Sequence, residues 1–220
     1  MPERNTARKI FIALLLVFAA TLTTLLCRQF SVGPARSSPA FRAFGPETAK
    51  IRIYEYTDFA CPHCRLTDAH VNKMLELYKG SVRLDFKHYP LTSIHPWSFT
   101  AAAYADCAGG QGKFREYADL LFEGQEQWAR SKDKPREFTE YARRLKLDMP
   151  ALEKCAEDPV TLRRIRLDSA EGDLRGVDAT PTFFINGKRA VGPAQLLEHV
   201  RKLDNLLVNR NKPSGESQEK

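Results

Sequence analysis

Two cysteines in the motif Cys61-Pro62-His63-Cys64 constrain what this chain of 220 residues can fold into more than any other feature. Before the motif, residues 50–57 alternate in character and include β-branched and aromatic side chains, which predicts a strand. After it, apolar residues recur at helical spacing until Gly80. We therefore expect the motif at a strand-to-helix junction, where residues three apart share one helix face and two sulfurs can meet.

The start of a helix is a favourable place for a thiolate. Its first N–H groups are unpaired and carry partial positive charge, so we expect them to lower the pKa of Cys61 from about 8.5 toward about 3.5–7. Pro62 suits the first turn, and His63 adds a positive charge or a hydrogen bond. Cys61 is therefore predicted to be the exposed nucleophile, and Cys64 the buried partner that opens and closes the internal disulfide.

Other interpretations of the motif stay open. A zinc site needs further ligands at similar spacing, and Cys107 and Cys155 stand far apart, so no metal site is predicted. A purely structural disulfide is disfavoured because a bridge across so short a loop constrains the chain little. A redox-silent binding module is the alternative from another functional class, and the intact cysteine pair argues against it.

The rest of the chain predicts an α/β domain with a helical insertion. Residues 82–86 form a second strand, parallel to the first through a right-handed crossover. Residues 94–176 contain helical patterns and no convincing strand, and Asp158-Pro159 is typical of a helix start. Residues 182–185 resume the strand pattern, Asn186-Gly187 predicts a hairpin, and a helix follows. The predicted order is β-α-β, helices, β-β-α.

The N-terminus predicts a membrane anchor over residues 1–27. Arg4, Arg8 and Lys9 precede an uncharged run over residues 10–27, and no small-residue cleavage site closes that run. We expect a single-pass, uncleaved anchor in the cytoplasmic membrane with the domain on the extracytoplasmic side; the alternative is secretion after signal cleavage. Residues 28–48, rich in Ser, Pro, Ala and Gly, predict a flexible linker, and residues 209–220 a disordered tail.

Charge and cysteine usage narrow the function further. The net charge of +7 is dispersed along the chain, which argues against a nucleic-acid partner. Five cysteines include four in the predicted extracytoplasmic domain, where disulfides are allowed. We predict a structural disulfide between Cys107 and Cys155, worth about 4 kcal/mol in the chain-entropy picture; two unpaired buried cysteines are the alternative.

Three segments carry a resemblance to a known family: residues 55–64, residues 111–114 (Gln-Gly-Lys-Phe) and residues 180–187. Together they resemble the DsbA-like branch of the thioredoxin superfamily, over roughly residues 49–208. The resemblance implies a thioredoxin fold interrupted by an all-helical subdomain, a cis bond between Thr180 and Pro181 beside Cys61, and thiol–disulfide exchange without a cofactor. Its implied partners are reduced exported polypeptides, held against Thr180 and Pro181, and a quinone-linked membrane thiol oxidase of the DsbB or vitamin-K-epoxide-reductase type.

The resemblance also assigns roles to residues outside the motif. It implies that Glu55 is buried below the motif and relays protons for Cys64, whereas the short strand alone allows an exposed edge position equally well. The Thr at position 180 is shared with isomerase-type members, so a reductase or isomerase is the alternative to an oxidase. We interpret Lys87 as solvated, and His88 and His95 as structural. Asp58 and Phe59 are expected to shape the substrate groove.

Overall fold

The computed structural model describes residues 3–31, 33 and 35–210, which fall into two compact units, residues 1–36 and residues 37–220. The first unit contains one helix, α1 (Glu3–Ser31). Its side chains from Lys9 to Thr24 are exposed, large apolar ones included.

The membrane anchor predicted for residues 1–27 falls on α1. Within the residues that the structure describes, no helix is long and apolar enough to cross a membrane.

The second unit is built on a mixed sheet, which among the described residues has five strands in the order β1-β3-β2-β4-β5. The strands are β1 (Ala43–Phe44), β2 (Ile51–Thr57), β3 (Val82–His88), β4 (Thr182–Ile185) and β5 (Lys188–Val191). β2 and β3 are parallel, with Ile51 beside Val82, and the remaining pairs are antiparallel. The parallel pair and the β4–β5 hairpin are those that the sequence predicts.

Helices cover the sheet and form the insertion. They are α2 (Pro62–Leu77), α3 (Ser98–Gly110), α4 (Phe114–Glu123), α5 (Gln125–Trp128), α6 (Glu137–Arg144), α7 (Met149–Glu157), α8 (Pro159–Leu174) and α9 (Gly192–Arg210). The tract 94–176 is helical without strands, as predicted, and Asp158 caps α8 by accepting a hydrogen bond from the Val160 N–H (2.8 Å). α9 includes Asn209 and Arg210, which corrects the predicted start of the disordered tail; residues 211–220 lie outside the described residues.

The two larger apolar cores of the unit lie against the sheet, and the cysteines of the motif belong to one of them. One lies between the sheet and the α2 and α9 helices and includes Ile53, Val71 and Leu196. The other joins the sheet to the insertion, where the Phe59 ring lies 5.5 Å from Phe86 and 5.1 Å from Phe122, measured between ring centroids. Fully burying a side chain of this kind contributes about 1.5–3 kcal/mol. The residue two positions before Cys61 is therefore fixed against both the sheet and the insertion.

The predicted linker over residues 28–48 is wrong at both ends. α1 continues to Ser31, and residues 37–44 belong to the folded unit. Ser38 is buried: its N–H donates to the Asp85 carboxylate (2.8 Å) and its hydroxyl to the Phe86 carbonyl (2.7 Å). A short 3₁₀ helix (Ala40–Arg42) and β1 follow. The composition of this segment predicts a flexible linker because composition contains no information about the distant residues to which the segment binds.

A buried cluster of charged side chains explains why this segment is held. The Arg42 guanidinium contacts Asp106 (3.1 Å) and Asp168 (2.5 Å), and the Lys87 ammonium contacts Asp168 (3.5 Å) and Glu171 (3.1 Å). Lys87 is therefore buried and paired, which corrects the prediction that it is solvated. Its carboxylate partners lie on α8, far along the chain, so the sequence near Lys87 gave no sign of them.

The predicted disulfide between Cys107 on α3 and Cys155 on α7 is present in the structure. It joins two helices of the insertion that also pack directly against each other. Because 48 residues separate the two cysteines, the bond restricts the unfolded chain over a long loop.

Candidate active site

Cys61 occupies the N-cap of α2, and Pro62 is the first residue of the helix. The backbone at Cys61 is extended (φ −80°, ψ 122°), and its carbonyl accepts hydrogen bonds from the N–H groups of Cys64 (3.1 Å) and Arg65 (3.2 Å). Pro62 has no backbone N–H, and this costs nothing here because the first N–H groups of a helix have no intrahelical partner. The helix junction predicted from the sequence is confirmed, and it directs the helix amides toward the Cys61 sulfur.

The two cysteines are free thiols with different surroundings. Cys64 is fully buried, and its sulfur lies 3.5 Å from the backbone nitrogen of Asp58. Cys61 is 6% exposed, and its sulfur lies 3.5 Å from the carbonyl oxygen of Thr180. The predicted order of accessibility holds, but Cys61 is less exposed than predicted because the loop that precedes β4 covers it.

The Thr180–Pro181 peptide bond is cis, as the resemblance implies. Pro181 directly precedes β4, and its carbonyl accepts a hydrogen bond from the Gly192 N–H (2.9 Å). The Thr180 hydroxyl is buried and has no oxygen or nitrogen partner within the described part of the chain. The structure thus places Thr180 beside the Cys61 sulfur, where the sequence analysis expected substrate to bind.

The surroundings lower the pKa of Cys61 to about 5. A hydrogen bond from the Cys64 thiol is the largest cause; burial opposes it, and the Thr180 hydroxyl and the backbone amides of Cys64 and His63 add to it. Burial, together with the hydrogen bond to Cys61 and the negative charge there, raises the pKa of Cys64 well above its ordinary value. One sulfur therefore carries the charge and its neighbour holds a proton.

His63 acts through its backbone. Its N–H favours the Cys61 thiolate, and its carbonyl accepts a hydrogen bond from the Thr67 hydroxyl (2.7 Å), while the residue itself is exposed. The sequence analysis expected an imidazole contribution at this position. Residue 63 is exposed in the first turn of α2, whereas both sulfurs are buried.

Asp58 and Phe59, which the sequence predicts to shape the substrate groove, are both buried. The Asp58 carboxylate accepts hydrogen bonds from the backbone N–H of Ala60 (2.8 Å) and Leu91 (2.9 Å), and it contacts His95 Nδ1 (2.8 Å). His95, which the sequence predicts to be structural, lies near the motif through this contact. Because His95 lies in a loop 37 residues after Asp58, this contact could not be predicted from the sequence.

The insertion also contacts the motif directly. The Gln125 side-chain amide donates hydrogen bonds to the carbonyls of Phe59 (2.7 Å) and Cys61 (3.0 Å). Gln125 is buried at the start of α5, so these bonds fix the loop that carries the motif against the helical subdomain. A lone glutamine carries no recognisable pattern, which is why the sequence analysis did not select it.

Glu55 is buried in the middle of β2, with 3% of its surface exposed, which decides between the two positions left open by the sequence. Burial raises its pKa to about 8; the Asp68 carboxylate adds to the rise and the Arg115 guanidinium opposes it. Asp68 and Arg115 themselves form an ion pair (2.5 Å). A carboxyl group with this pKa can both hold and release a proton near neutral pH.

A cavity of about 690 Å³ opens beside the motif. Its lining combines the motif with the insertion and the loop before α3: Ala60, Pro62, Arg65, Ile94, His95, Pro96, Gln125, Glu126, Ala129 and Arg130. Within the described residues, no group of three or more His, Cys, Asp or Glu side chains is placed to hold a metal ion. His88, the other histidine predicted to be structural, is buried away from this cavity and contacts Asp106 (2.9 Å).

A dithiol at a helix N-terminus, next to a cis-proline that precedes a strand of a mixed sheet, is the arrangement that defines thioredoxin-fold proteins. The family model described as thioredoxin matches residues 37–205, which is well over half of the chain. The chain therefore belongs to the thioredoxin family.

Solved structures place the chain near the DsbA proteins of that family. DsbA2 of Pseudomonas aeruginosa is 26% identical, with a TM-score of 0.62 over 76% of this chain and 97% of that one. Alpha-DsbA1 of Wolbachia pipientis is 22% identical, with a TM-score of 0.66 over 77% and 93%. BdbD of Bacillus subtilis is 20% identical, with a TM-score of 0.63 over 76% and 95%. The chain is thus a DsbA-like member of the thioredoxin superfamily, with the helical insertion that its sequence predicts.

Curated relatives carry a different name. A protein of Salinispora tropica named Na(+)/H(+) antiporter NhaA 3 is 39% identical over 149 residues, which is 68% of this chain and 22% of that protein. A Mycobacterium protein named Na(+)/H(+) antiporter NhaA 1 is 29% identical over 164 residues, 73% of this chain and 26% of that protein. The chain spans about a fifth to a quarter of the length of these relatives, so their name describes much larger proteins.

Proposed function

We propose that the chain is a thiol–disulfide oxidoreductase that introduces disulfides into exported proteins through Cys61 and Cys64. The observation that carries the proposal is the opposed pKa shifts of the two sulfurs, one held as a thiolate and the other as a thiol. A disulfide whose reduced form is stabilised in this way is a strong oxidant. The likeness to DsbA proteins supports the same activity.

The reaction begins with the Cys61–Cys64 pair as a disulfide. A substrate thiolate attacks the Cys61 sulfur, because Cys64 is fully buried. A bond forms between the substrate sulfur and Cys61, the internal bond breaks, and the electron pair stays on Cys64. The raised pKa of Cys64 means that its sulfur then takes up a proton.

A second substrate thiolate completes the exchange. It attacks the substrate sulfur of the mixed disulfide, the substrate disulfide forms, and Cys61 leaves with the electron pair. The low pKa of Cys61 makes it a good leaving group. The substrate loses two electrons, and the enzyme keeps them as one thiolate and one thiol. Glu55, with a pKa of about 8, is suited to supply and recover the proton of Cys64.

The Thr180 backbone is the proposed contact for substrate. Its carbonyl lies 3.5 Å from the Cys61 sulfur, so an extended peptide bound along residues 180–181 brings its own sulfur to the reacting atom. The adjoining cavity of about 690 Å³ offers room for substrate side chains. Reduced exported polypeptides are the proposed substrates of this site.

The proposed location is the extracytoplasmic face of the cytoplasmic membrane. The basic residues before the apolar run support this orientation, and the exposed apolar side chains between Ile10 and Leu22 support association with lipid. A quinone-linked membrane thiol oxidase is the proposed acceptor of the two electrons. Secretion after signal cleavage is the alternative. If the full chain is extracted from membranes by detergent but not by salt, it is anchored; if a shortened chain is found outside the membrane fraction, it is secreted.

A redox titration of the full-length chain against glutathione, followed by thiol trapping, tests the activity. We expect a two-electron transition at an oxidising potential, in the range of about −120 to −180 mV found for oxidases and isomerases. A potential near about −270 mV would instead assign the chain to the reductases. The Cys61→Ser and Cys64→Ser variants are the controls, and absence of any transition in the unmodified chain leaves only a binding module.

A further inference from the structure

We propose that Asp58 and His95 form a positioning pair that holds a positively charged imidazole beside Cys61 and so strengthens the oxidising power of the Cys61–Cys64 disulfide. The inference deepens the proposed function and rests on it. Neither residue touches the reacting sulfur through its side chain. Their effect is therefore on the charge balance around the motif.

Asp58 connects three parts of the site. Its side-chain carboxylate is fully buried and binds two backbone N–H groups, those of Ala60 and Leu91, in addition to His95. Its backbone contacts both cysteines: the carbonyl accepts a hydrogen bond from the Cys61 N–H (3.1 Å), and the nitrogen lies 3.5 Å from the Cys64 sulfur. A single residue thus links the motif to the loop that carries His95.

The second observation is the position of His95. Its side chain is 19% exposed and lines the same cavity as Ala60 and Pro62, the neighbours of Cys61. The hydrogen bond to Asp58 is the largest cause of a raised pKa at His95, and the negative charges of Asp58 and Cys61 add to it. The ring Nδ1 faces Asp58, so the rest of the imidazolium is available to the cavity.

His88 shows what a purely structural histidine looks like in this protein. It also contacts a carboxylate, that of Asp106, but it is fully buried and burial lowers its pKa. His95 differs in both respects, since it reaches a cavity and its charged form is favoured. The contrast supports an electrostatic role for His95.

Other charged groups near His95 set the pH range of the effect. Asp58 and Cys61 favour the imidazolium, and Arg130 opposes it. Arg65 on α2 and Glu126 on α5 line the cavity and pair with each other (2.7 Å). The contribution of His95 to this cavity should therefore vanish once the imidazolium loses its proton.

The test uses the full-length His95→Asn variant. Asparagine retains an N–H near the position of Nδ1, so the hydrogen bond to Asp58 can persist while the charge is lost. The variant should oxidise glutathione about three- to tenfold less favourably at pH 6, as expected for one charge several ångströms away at intermediate dielectric constant. His70→Asn, at an exposed position on α2, is the matched control and should behave as the unmodified chain.

The pH dependence separates an electrostatic role from a structural one. The difference between His95→Asn and the unmodified chain should shrink toward pH 9, because the His95 imidazole of the unmodified chain then loses its charge and neither protein carries a positive charge at position 95. His95→Lys keeps a positive charge at that pH and should retain an oxidising equilibrium. A difference that is equal at pH 6 and pH 9 would mean that His95 only supports the loop.

A measurement on the unmodified chain avoids any folding defect of the variants. Because coupling between two titrating groups is reciprocal, the His95 imidazole should titrate at higher pH in the reduced protein, which carries the Cys61 thiolate, than in the oxidised protein. NMR of the histidine ring reports both titrations. If the His95 imidazole titrates identically in the reduced and oxidised proteins, the proposed role of the Asp58–His95 pair is wrong, while the proposed function stands. Loss of the redox transition itself overturns both.

Discussion

The two active-site sulfurs, three residues apart on one helix, differ in the groups that reach them. The hydrogen bond from the Cys64 thiol, with the Thr180 hydroxyl and the helix amides, favours charge on Cys61, whereas burial disfavours charge on Cys64. The sequence predicts this asymmetry because a helix start is a local feature. It does not predict His95 or Gln125, because their contacts with the motif depend on chain segments that meet only in the folded protein.

Glu55 gives the first stability prediction. Its carboxyl group holds a proton up to a pH of about 8, whereas an unfolded glutamate loses it near 4.5. The native state therefore binds more protons than the unfolded state between these values, and the free energy of unfolding should fall as the pH rises through this window. The maximal slope is about 1.4 kcal/mol per pH unit.

The Glu55→Gln variant should remove this part of the pH dependence, because glutamine has no proton to lose. Urea unfolding at several pH values between about 5 and 8 measures the slope. The exposed Glu76 on α2 provides the matched control variant, Glu76→Gln, which should retain it. If Glu55→Gln and the unmodified chain keep the same slope, another group is responsible.

Among the elements, the helical insertion depends on its disulfide. Replacing Cys107 and Cys155 together by alanine releases the constraint on a loop of 48 residues, so the free energy of unfolding should fall by about 4 kcal/mol. Denaturant unfolding in the absence of reductant measures this loss. The redox equilibrium of the Cys61–Cys64 pair, measured on the same double variant, should change little. A decrease in the free energy of unfolding of less than about 1 kcal/mol would contradict the prediction.

The elements also show where sequence patterns succeed. Each strand of the parallel pair and the helices α2, α4, α6 and α9 follow a periodic pattern within their own residues, and a short-range signal such as Asp158-Pro159 marks a boundary correctly. The prediction of a flexible linker fails for the segment 37–44 because its structure does not depend on its own local pattern. Its serines and prolines are typical of a linker, and its structure depends on hydrogen bonds to β3 and on carboxylates of the insertion.

At the level of the whole molecule, Arg42 joins this segment to the insertion. It is fully buried against Asp106 on α3 and Asp168 on α8. The Arg42→Ala variant should lower the free energy of unfolding by about 3–5 kcal/mol, because removing one partner leaves buried carboxylates uncompensated. Thermal or urea unfolding measures the effect. Arg144→Ala, at an exposed position on α6, should cost far less, and equal losses would show that the cluster is not specially stabilising.

The disulfide between α3 and α7 has a consequence for how the protein responds to its surroundings. Cys107 is 1% exposed and Cys155 is partly buried, so a small reductant that reduces the Cys61–Cys64 pair of the native protein has limited access to the second bond. The redox state of the Cys61–Cys64 pair can therefore change while the Cys107–Cys155 disulfide stays intact. In the proposed reaction, each reduction of the Cys61–Cys64 pair would leave the scaffold around the reactive sulfur intact.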